Sequence, residues 1–306
     1  MKTQRFALLI LCLLTLVATL VFSGCVKGKK TAYPLTITDG VGRTVSIPHK
    51  PERIVCLTPS SAEIVFAVGA GSMVVGVSEY TKYPAEAQEI TKIGSYASLN
   101  VEEIIALKPD LLFADPYQKL AVERLETLDL AVIVLNHENI EQILSNIALV
   151  GTVIGQEKET SSLVKSIETK IEAIVAKTAN LTETEKPKVL YLYEPEWVAG
   201  SGTLANSYIQ KAGGINIAAD IQGSQLITLE AIIERNPDVI LCVVGYVPTS
   251  DWVLNELRLR EVSALKNNRV YPLDADTVDY PGPRVGVALE LVAKCLYPEL
   301  FGAANE

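Results

Sequence analysis

The chain is expected to be an α/β protein built as two similar lobes bridged by a single long helix, and three observations lead there. Short β-rich segments alternate with amphipathic stretches from Leu57 onward, which argues for helices laid against mainly parallel sheets. A pattern occurs twice, as Val101-Glu102-Glu103-Ile104-Ile105-Ala106-Leu107-Lys108-Pro109-Asp110-Leu111-Leu112 and as Leu229-Glu230-Ala231-Ile232-Ile233-Glu234-Arg235-Asn236-Pro237-Asp238-Val239-Ile240. Between the copies, from Gln156 to Ala179, residues Leu163, Ile167, Ile171, Ile174 and Val175 fall on one stripe at helical spacing. Two matching units separated by a long helix imply two lobes and a stiff strut.

Taken in order, the chain opens with Lys2 and Arg5, an uncharged run from Phe6 to Phe22, and then Ser23, Gly24 and Cys25. A basic start, an apolar core and small residues before a cleavage point describe an export signal over residues 1–24. Cys25 directly after Ser-Gly resembles the lipid-accepting cysteine of secreted lipoproteins, with Phe22 where leucine is usual. The alternative is an uncleaved anchor, because the run approaches the ~20 apolar residues that a membrane span needs. Residues 25–34 read as a lipidated tether and residues 35–155 as the first lobe. Within that lobe Leu35 to Leu57 alternates like strands around Asp39-Gly40-Val41-Gly42. The bridging helix is placed at 156–180 and the second lobe at 187–306. Asn180-Leu181-Thr182 is a glycosylation triplet, a pattern that arises often by chance.

Charge and cysteines narrow the class. The sequence has 27 basic and 36 acidic residues; without Lys2 and Arg5 the balance after the leader is 25 against 36. That acidity argues against nucleic acid, which wants a basic face. About 280 residues is more than one compact core usually holds, which again favours two lobes. Cys56, Cys242 and Cys295 remain beyond Cys25, an odd number with no metal-site spacing. They read as small buried hydrophobes.

Each copy of the repeat reads as a capped helix, a Pro-Asp turn and a buried strand, with Asn100 and Thr228 as the caps. A looser echo joins Ala67-Val68-Gly69-Ala70-Gly71 to Lys211-Ala212-Gly213-Gly214. Ligands of two-lobed proteins bind between the lobes. Tyr80, Tyr96, Tyr117, Trp197, Tyr246 and Tyr280 all follow strand-like runs, in loops where doubly wound folds place their sites. Such rings supply stiff apolar area with a polar edge, suited to a broad, partly polar ring system. Arg284 has two readings, a partner for a ligand anion or a structural ion pair. Ser60-Ser61-Ala62-Glu63 reads as a capping box, with Glu63 structural. An enzyme finds little support. The two histidines, His49 and His137, are far apart, and there is no Gly-x-Ser-x-Gly elbow or phosphate-cradling glycine loop. His137 is open to two readings, an axial ligand to a haem or cobalt centre or a surface residue.

One known family uses these motifs in this order. Pro51-Glu52-Arg53-Ile54-Val55, Thr58-Pro59-Ser60-Ser61-Ala62-Glu63-Ile64, Val74-Val75-Gly76-Val77-Ser78-Glu79-Tyr80, Tyr83-Pro84, Ile93-Gly94-Ser95-Tyr96, Leu107-Lys108-Pro109-Asp110 and Gly282-Pro283-Arg284 follow one another through the chain. Together they resemble the helical-backbone, class III substrate-binding lipoproteins of ABC importers for iron-siderophores, haem and cobalamin, over about Leu35 to Phe301. The stretch Gly76 to Pro84 is most similar to the cobalamin-binding members. The resemblance implies two Rossmann-like lobes that close little on binding. It implies that Tyr80 and Tyr96 flank a corrin and that Asp276 bonds its side groups. Asp115 and Ser224 stand where such proteins can place tryptophan, and Tyr280 where an arginine can occur.

The resemblance further implies the partners. Glu102 and Glu230, each in the first turn of its repeat helix, would dock on arginines of a dimeric permease served by an ATPase. A helix-dipole contact alone, worth ~0.3–1 kcal/mol, explains an acid there but not its recurrence at the same offset. The expected ligand is a cobalt- or iron-containing chelate, with no resident cofactor and no metal site of the protein's own. The expected setting is a monomer outside the cytoplasm, anchored by lipid. A sensor lipoprotein and an enzyme are the alternatives from other classes.

Overall fold

The computed structural model describes residues 31–304 other than Ala97 and Tyr246. The leader and Cys25 therefore lie outside the described residues. The described residues form one compact unit.

The unit begins with an antiparallel hairpin, β1 (Leu35–Thr38) and β2 (Thr44–Ile47), around the Asp39-Gly40-Val41-Gly42 turn. Asp39 holds the turn by accepting from the amides of Val41 and Arg43 at 3.1 and 2.8 Å. A four-stranded sheet follows, all parallel, in the order β4 (Val74–Val77), β3 (Ile54–Cys56), β5 (Leu111–Ala114), β6 (Val132–Val134). The chain winds from β3 to β4 on one side and then returns to build β5 and β6 on the other. The strand order thus reverses between β3 and β5, and ligands of such sheets bind beyond the strand ends at this point.

The second sheet is mixed. Its order is β10 (Ser224–Leu226), β8 (Trp197–Ala199), β7 (Lys188–Glu194), β11 (Val239–Val244), β12 (Val270–Asp274), with β9 (Ile215–Asn216) beside the start of β7. β7, β11 and β12 are parallel, β8 runs antiparallel to β7, and β10 runs antiparallel to β8, so the mainly parallel expectation holds with one reversed strand near the edge. The cause is local. Pro195-Glu196, with Glu196 at φ 60°, turns the chain straight back after β7 instead of sending it through a helix.

The repeat is preserved in its hydrogen bonds. Helix α1 (Pro59–Ala67) follows β3, and α2 (Val101–Ala106) is the first repeat helix, capped by the Asn100 side chain on the Glu103 amide at 3.1 Å. The Asp110 carboxylate then accepts from the amides of Glu52 and Arg53 at 2.8 and 3.1 Å. In the second copy Asp238 accepts from the Lys188 amide at 2.9 Å. Each Pro-Asp turn therefore pins the start of the neighbouring parallel strand, β3 or β7. The looser echo is equally physical. Gly69 and Gly213 sit at φ 83° and 89°, just past a helix end. The following amides, Ala70 and Gly214, reach back to Val65 and Ile209 carbonyls at 3.0 and 2.8 Å, a Schellman closure that suits glycine.

Helix α3 (Lys119–Glu126) joins β5 to β6 within the first sheet, and two more helices, α4 (Ile140–Ile154) and α5 (Glu157–Thr178), carry the chain to the second. Gly155 at φ 74° ends α4, and α5 then runs for about 33 Å. Of the predicted stripe Ile167, Ile171 and Ile174 are buried and Leu163 and Val175 partly buried, while Thr160 and Thr178, which the stripe did not include, are buried as well. The stripe joins a single apolar cluster that contains Ile54, Leu111 and Phe113 of the first sheet and Val189, Tyr191 and Leu241 of the second. Helix α6 (Leu204–Lys211) and the helix Val285–Leu296 complete that cluster, while α7 (Leu229–Arg235) is the second repeat helix. Cys56, Cys242 and Cys295 are free and buried.

Among the described residues no helix is long and apolar enough to cross a membrane.

Candidate functional site

The strand ends of both sheets open on a common cleft. One cavity of about 530 Å³ is lined by Thr58, Pro59 and Ser60 after β3, by Asp115 and Tyr117 after β5, and by Tyr80, Tyr96, His137, Asp279, Tyr280 and Pro281. It lies at the point where the strand order of the first sheet reverses. A second cavity of about 480 Å³ is lined from the other lobe by Tyr191, Tyr193, Trp197, Thr203 and Ser224 among others, and it shares Tyr117, His137 and Asp279 with the first. Joined at these shared walls, the two hold a bulky ligand by size.

The floor of the first cavity is a hydrogen-bonded cluster centred on Asp115. Its side chain caps the short 3-10 turn Pro116–Gln118, accepting from the Tyr117 amide at 2.9 Å. The Tyr96 hydroxyl donates to the same oxygen at 2.6 Å, and His137 Nε2 meets the other oxygen at 2.6 Å. Burial alone would raise the Asp115 carboxyl, but the His137 ring, the Tyr96 hydroxyl and the Tyr117 amide outweigh it and hold the group below the ordinary carboxylate value. Burial, and then the bond to Asp115, push the Tyr96 hydroxyl far above the usual tyrosine range. Asp279 behaves differently. Burial, and then the charge of Asp274, raise its carboxyl to about 7.

The aromatic residues present their rings to the cleft. Tyr117 is 81 % exposed, Tyr80 51 % and Trp197 39 %, so considerable apolar ring surface is left open there. Trp197 lies within β8 rather than in a loop, because the Pro195-Glu196 turn makes its segment the return strand of a hairpin. His137, for which a surface position was one reading, lines both cavities. Asp115, Ser224 and Tyr280 all line the cleft as well. Tyr246 lies outside the described residues.

Two predicted residues stand apart. Asp276 lines neither cavity and pairs with Lys82 Nζ at 2.8 Å. Arg284 also lines neither. Its guanidinium grips Glu63 at 2.6 and 3.0 Å, donates to the Asp276 carbonyl at 2.7 Å and lies over the Tyr83 ring at 4.9 Å. The expected capping box at Ser60 and Glu63 is displaced. Pro59 takes the first helical position, so Thr58 is the cap, accepting from the Ser61 amide at 3.3 Å, and Glu63 is left to face Arg284. Sequence reasoning missed Asp279. Its signal was available, an acid between Val278 and Tyr280-Pro281, but nothing local separates it from Asp274 or Asp276.

Glu102 and Glu230 occupy the first turns of α2 and α7 and are exposed, away from both cavities. Arg124 reaches Glu102 at only 3.5 Å. Ile105 and Ile233, one turn further along the two helices, are exposed too, at 47 and 39 %.

Comparison with known proteins agrees with this architecture. The family model described as "Periplasmic binding protein" matches residues 54–277. The ABC transporter substrate-binding lipoprotein YvrC of Bacillus subtilis is 31 % identical over 304 residues, covering 94 % of this chain and 96 % of that protein. Among solved structures, the periplasmic vitamin B12-binding protein BtuF of Vibrio cholerae superposes with a TM-score of 0.71 at 26 % identity, covering 81 % of this chain and 98 % of its own. The periplasmic haem-binding protein RhuT of Roseiflexus sp. RS-1 gives 0.69 at 30 % identity, with 80 and 98 % covered. With the match spanning most of the chain and the cleft lying at the strand ends of two α/β lobes, this chain belongs to the periplasmic binding protein family.

Proposed function

We propose that the chain is the extracytoplasmic solute-binding component of an ABC importer, anchored through lipid on Cys25. In this reading it captures a bulky metal chelate, a cobalamin or related corrinoid, between its lobes and delivers it to a dimeric permease. The lobes are residues 35–155 and 187–306, with residues 156–180 as the bridge. The observation that carries the ligand class is the cleft itself. Exposed rings of Tyr80, Tyr96, Tyr117 and Trp197 surround two joined cavities of about 530 and 480 Å³, room for a broad ring system with a mixed polar edge.

A ferric siderophore or haem is the second reading, and the place of His137 in both cavities favours haem, since an imidazole is a good iron ligand. Glu102 and Glu230 serve docking here. Two exposed acids at one offset on two similar lobes match a partner with two-fold symmetry, where charge sets register and encounter rate.

Incubating the purified protein with cobalamin, haem or a ferric siderophore, followed by gel filtration and absorption spectroscopy, tests the reading. Retention of the corrinoid bands is expected. A retained porphyrin band alone would select haem, and retention of none would reject chelate transport.

A further inference from the structure

Asp279 lines both cavities, while the acid that the sequence points to, Asp276, is held outside by Lys82. We propose that Asp279, together with the Asp115–His137 pair, makes the cleft select chelates with a neutral, amide-like periphery over those bearing carboxylates or ionised catechols. The inference rests on the chelate-binding reading and adds the chemical class of the periphery.

The charges around the cleft support it. None of the described residues that line either cavity is Lys or Arg. The cations nearest to the lining residues along the chain are already engaged, Lys82 with Asp276 at 2.8 Å, Arg284 with Glu63 at 2.6 Å and Lys119 with Glu123 at 3.9 Å. His137 Nε2 is likewise engaged by Asp115 at 2.6 Å. A ligand carboxylate would therefore enter beside Asp115 and Asp279 with no unengaged guanidinium or ammonium among the described lining residues to receive it. Like charges so placed in a partly desolvated site repel strongly.

An amide is accommodated in either state of Asp279. An ionised carboxylate accepts from the amide NH₂, and a protonated one donates to the amide carbonyl. Because burial and Asp274 raise Asp279 to about 7, both states are present near neutrality. A ligand carboxylate, by contrast, suits only the protonated state. Tyr80, Tyr96, Tyr117 and Trp197 supply ring contact that is indifferent to this choice, so the acid acts on specificity.

The test compares one macrocycle in two charge states, iron protoporphyrin with its two carboxylates free and the same porphyrin with both converted to amides. Cyanocobalamin serves as a neutral corrinoid probe, and binding is read by tryptophan fluorescence and absorption at pH 8. The diamide is expected to bind the parent roughly 30-fold or more tighter than the diacid, the scale of one desolvated like-charge contact. Asp279→Asn should shrink that ratio to a few-fold by improving diacid binding. Asp279→Ser should do the same, and thermal melting would confirm that both variants fold. Equal binding of the two porphyrins by the parent, or an unchanged ratio in the folded variants, overturns the selection by charge while leaving the chelate reading in place. If the parent binds none of the three probes, the chelate reading itself fails and this inference with it.

Discussion

Glu63 lies in α1 with 2 % of its side chain exposed, and Arg284 reaches it with two nitrogens from the far end of the sequence. Such a pair adds little net stability compared with apolar residues, but breaking it is costly, because the remaining charge stays buried without a partner. Burial already pushes the Glu63 carboxyl up, and Arg284 pulls it back. Arg284→Met should therefore destabilise the protein by about 3–5 kcal/mol in denaturant unfolding, with part of the loss recovered when Glu63→Met is added. Ligand affinity in the folded single variant should stay nearly unchanged, since Arg284 lines neither cavity. A large loss of affinity with intact stability would return Arg284 to the ligand site. The two readings of this residue could not be separated along the chain. Its partner is 221 positions away, a distance at which no spacing rule operates.

At the scale of elements, α4 and α5 pack closely against each other. A side chain at Gly151 would place its Cβ 1.9 Å from Thr160 Oγ1 and 2.5 Å from Thr160 Cβ. Thr160 is buried and its hydroxyl donates to the Gln156 carbonyl at 2.7 Å, so it has little freedom to withdraw. Two effects compete when Gly151 becomes alanine. Helix propensity favours the change by ~1 kcal/mol. Overpacking opposes it by about 1–3 kcal/mol, and with both Thr160 contacts under 3 Å the clash should win. Gly151→Ala should thus lower the unfolding midpoint in urea. A rise would mean that the helices part readily and that the contact is loose. Helix existence was legible here: the stripe from Leu163 to Val175 falls inside α5, Glu157–Thr178. The contact between helices was not, because Gly151 is invisible to hydrophobic periodicity.

At the scale of the whole molecule, one apolar cluster runs from Ile54 and Phe113 through Ile167 and Ile171 of α5 to Val189 and Leu241. Ion pairs also link segments on either side of α5: Glu63 with Arg284, Lys82 with Asp276 and Glu141 with Lys211 at 2.6 Å. In the proposed docking, a molecule so joined would offer Glu102 and Glu230 together to a two-fold partner. Replacing both with Lys should leave ligand affinity and thermal stability nearly intact, because each acid contributes only ~0.3–1 kcal/mol to its own helix. Uptake in cells should collapse as like charges meet the permease, with single variants intermediate. Uptake equal to that of the parent would refute the docking role, and lost ligand binding would assign the acids to the cleft.

Local chemistry determined a great deal of this protein without any tertiary information. Asn100 and Thr228 cap their helices as their residue type predicts, Gly69 and Gly213 end theirs, and the Pro-Asp turns of both repeat copies pin strands in the same way. These features act within a few residues, so the two-lobed α/β plan could be read directly. The placement of Tyr80, Tyr117 and Tyr280 after strands was legible for the same reason, whereas Trp197 falls within β8. Tertiary structure alone decided which charges face the cleft. Asp274, Asp276 and Asp279 lie within six positions and look alike in sequence, yet Asp276 is taken by Lys82, 194 positions away, while Asp279 lines both cavities. Likewise Asp115 and His137 become one unit only when β5 and β6 are laid side by side. Helices, caps and turns answer to neighbours along the chain, whereas the charge of a site depends on which distant side chains folding brings within hydrogen-bond reach.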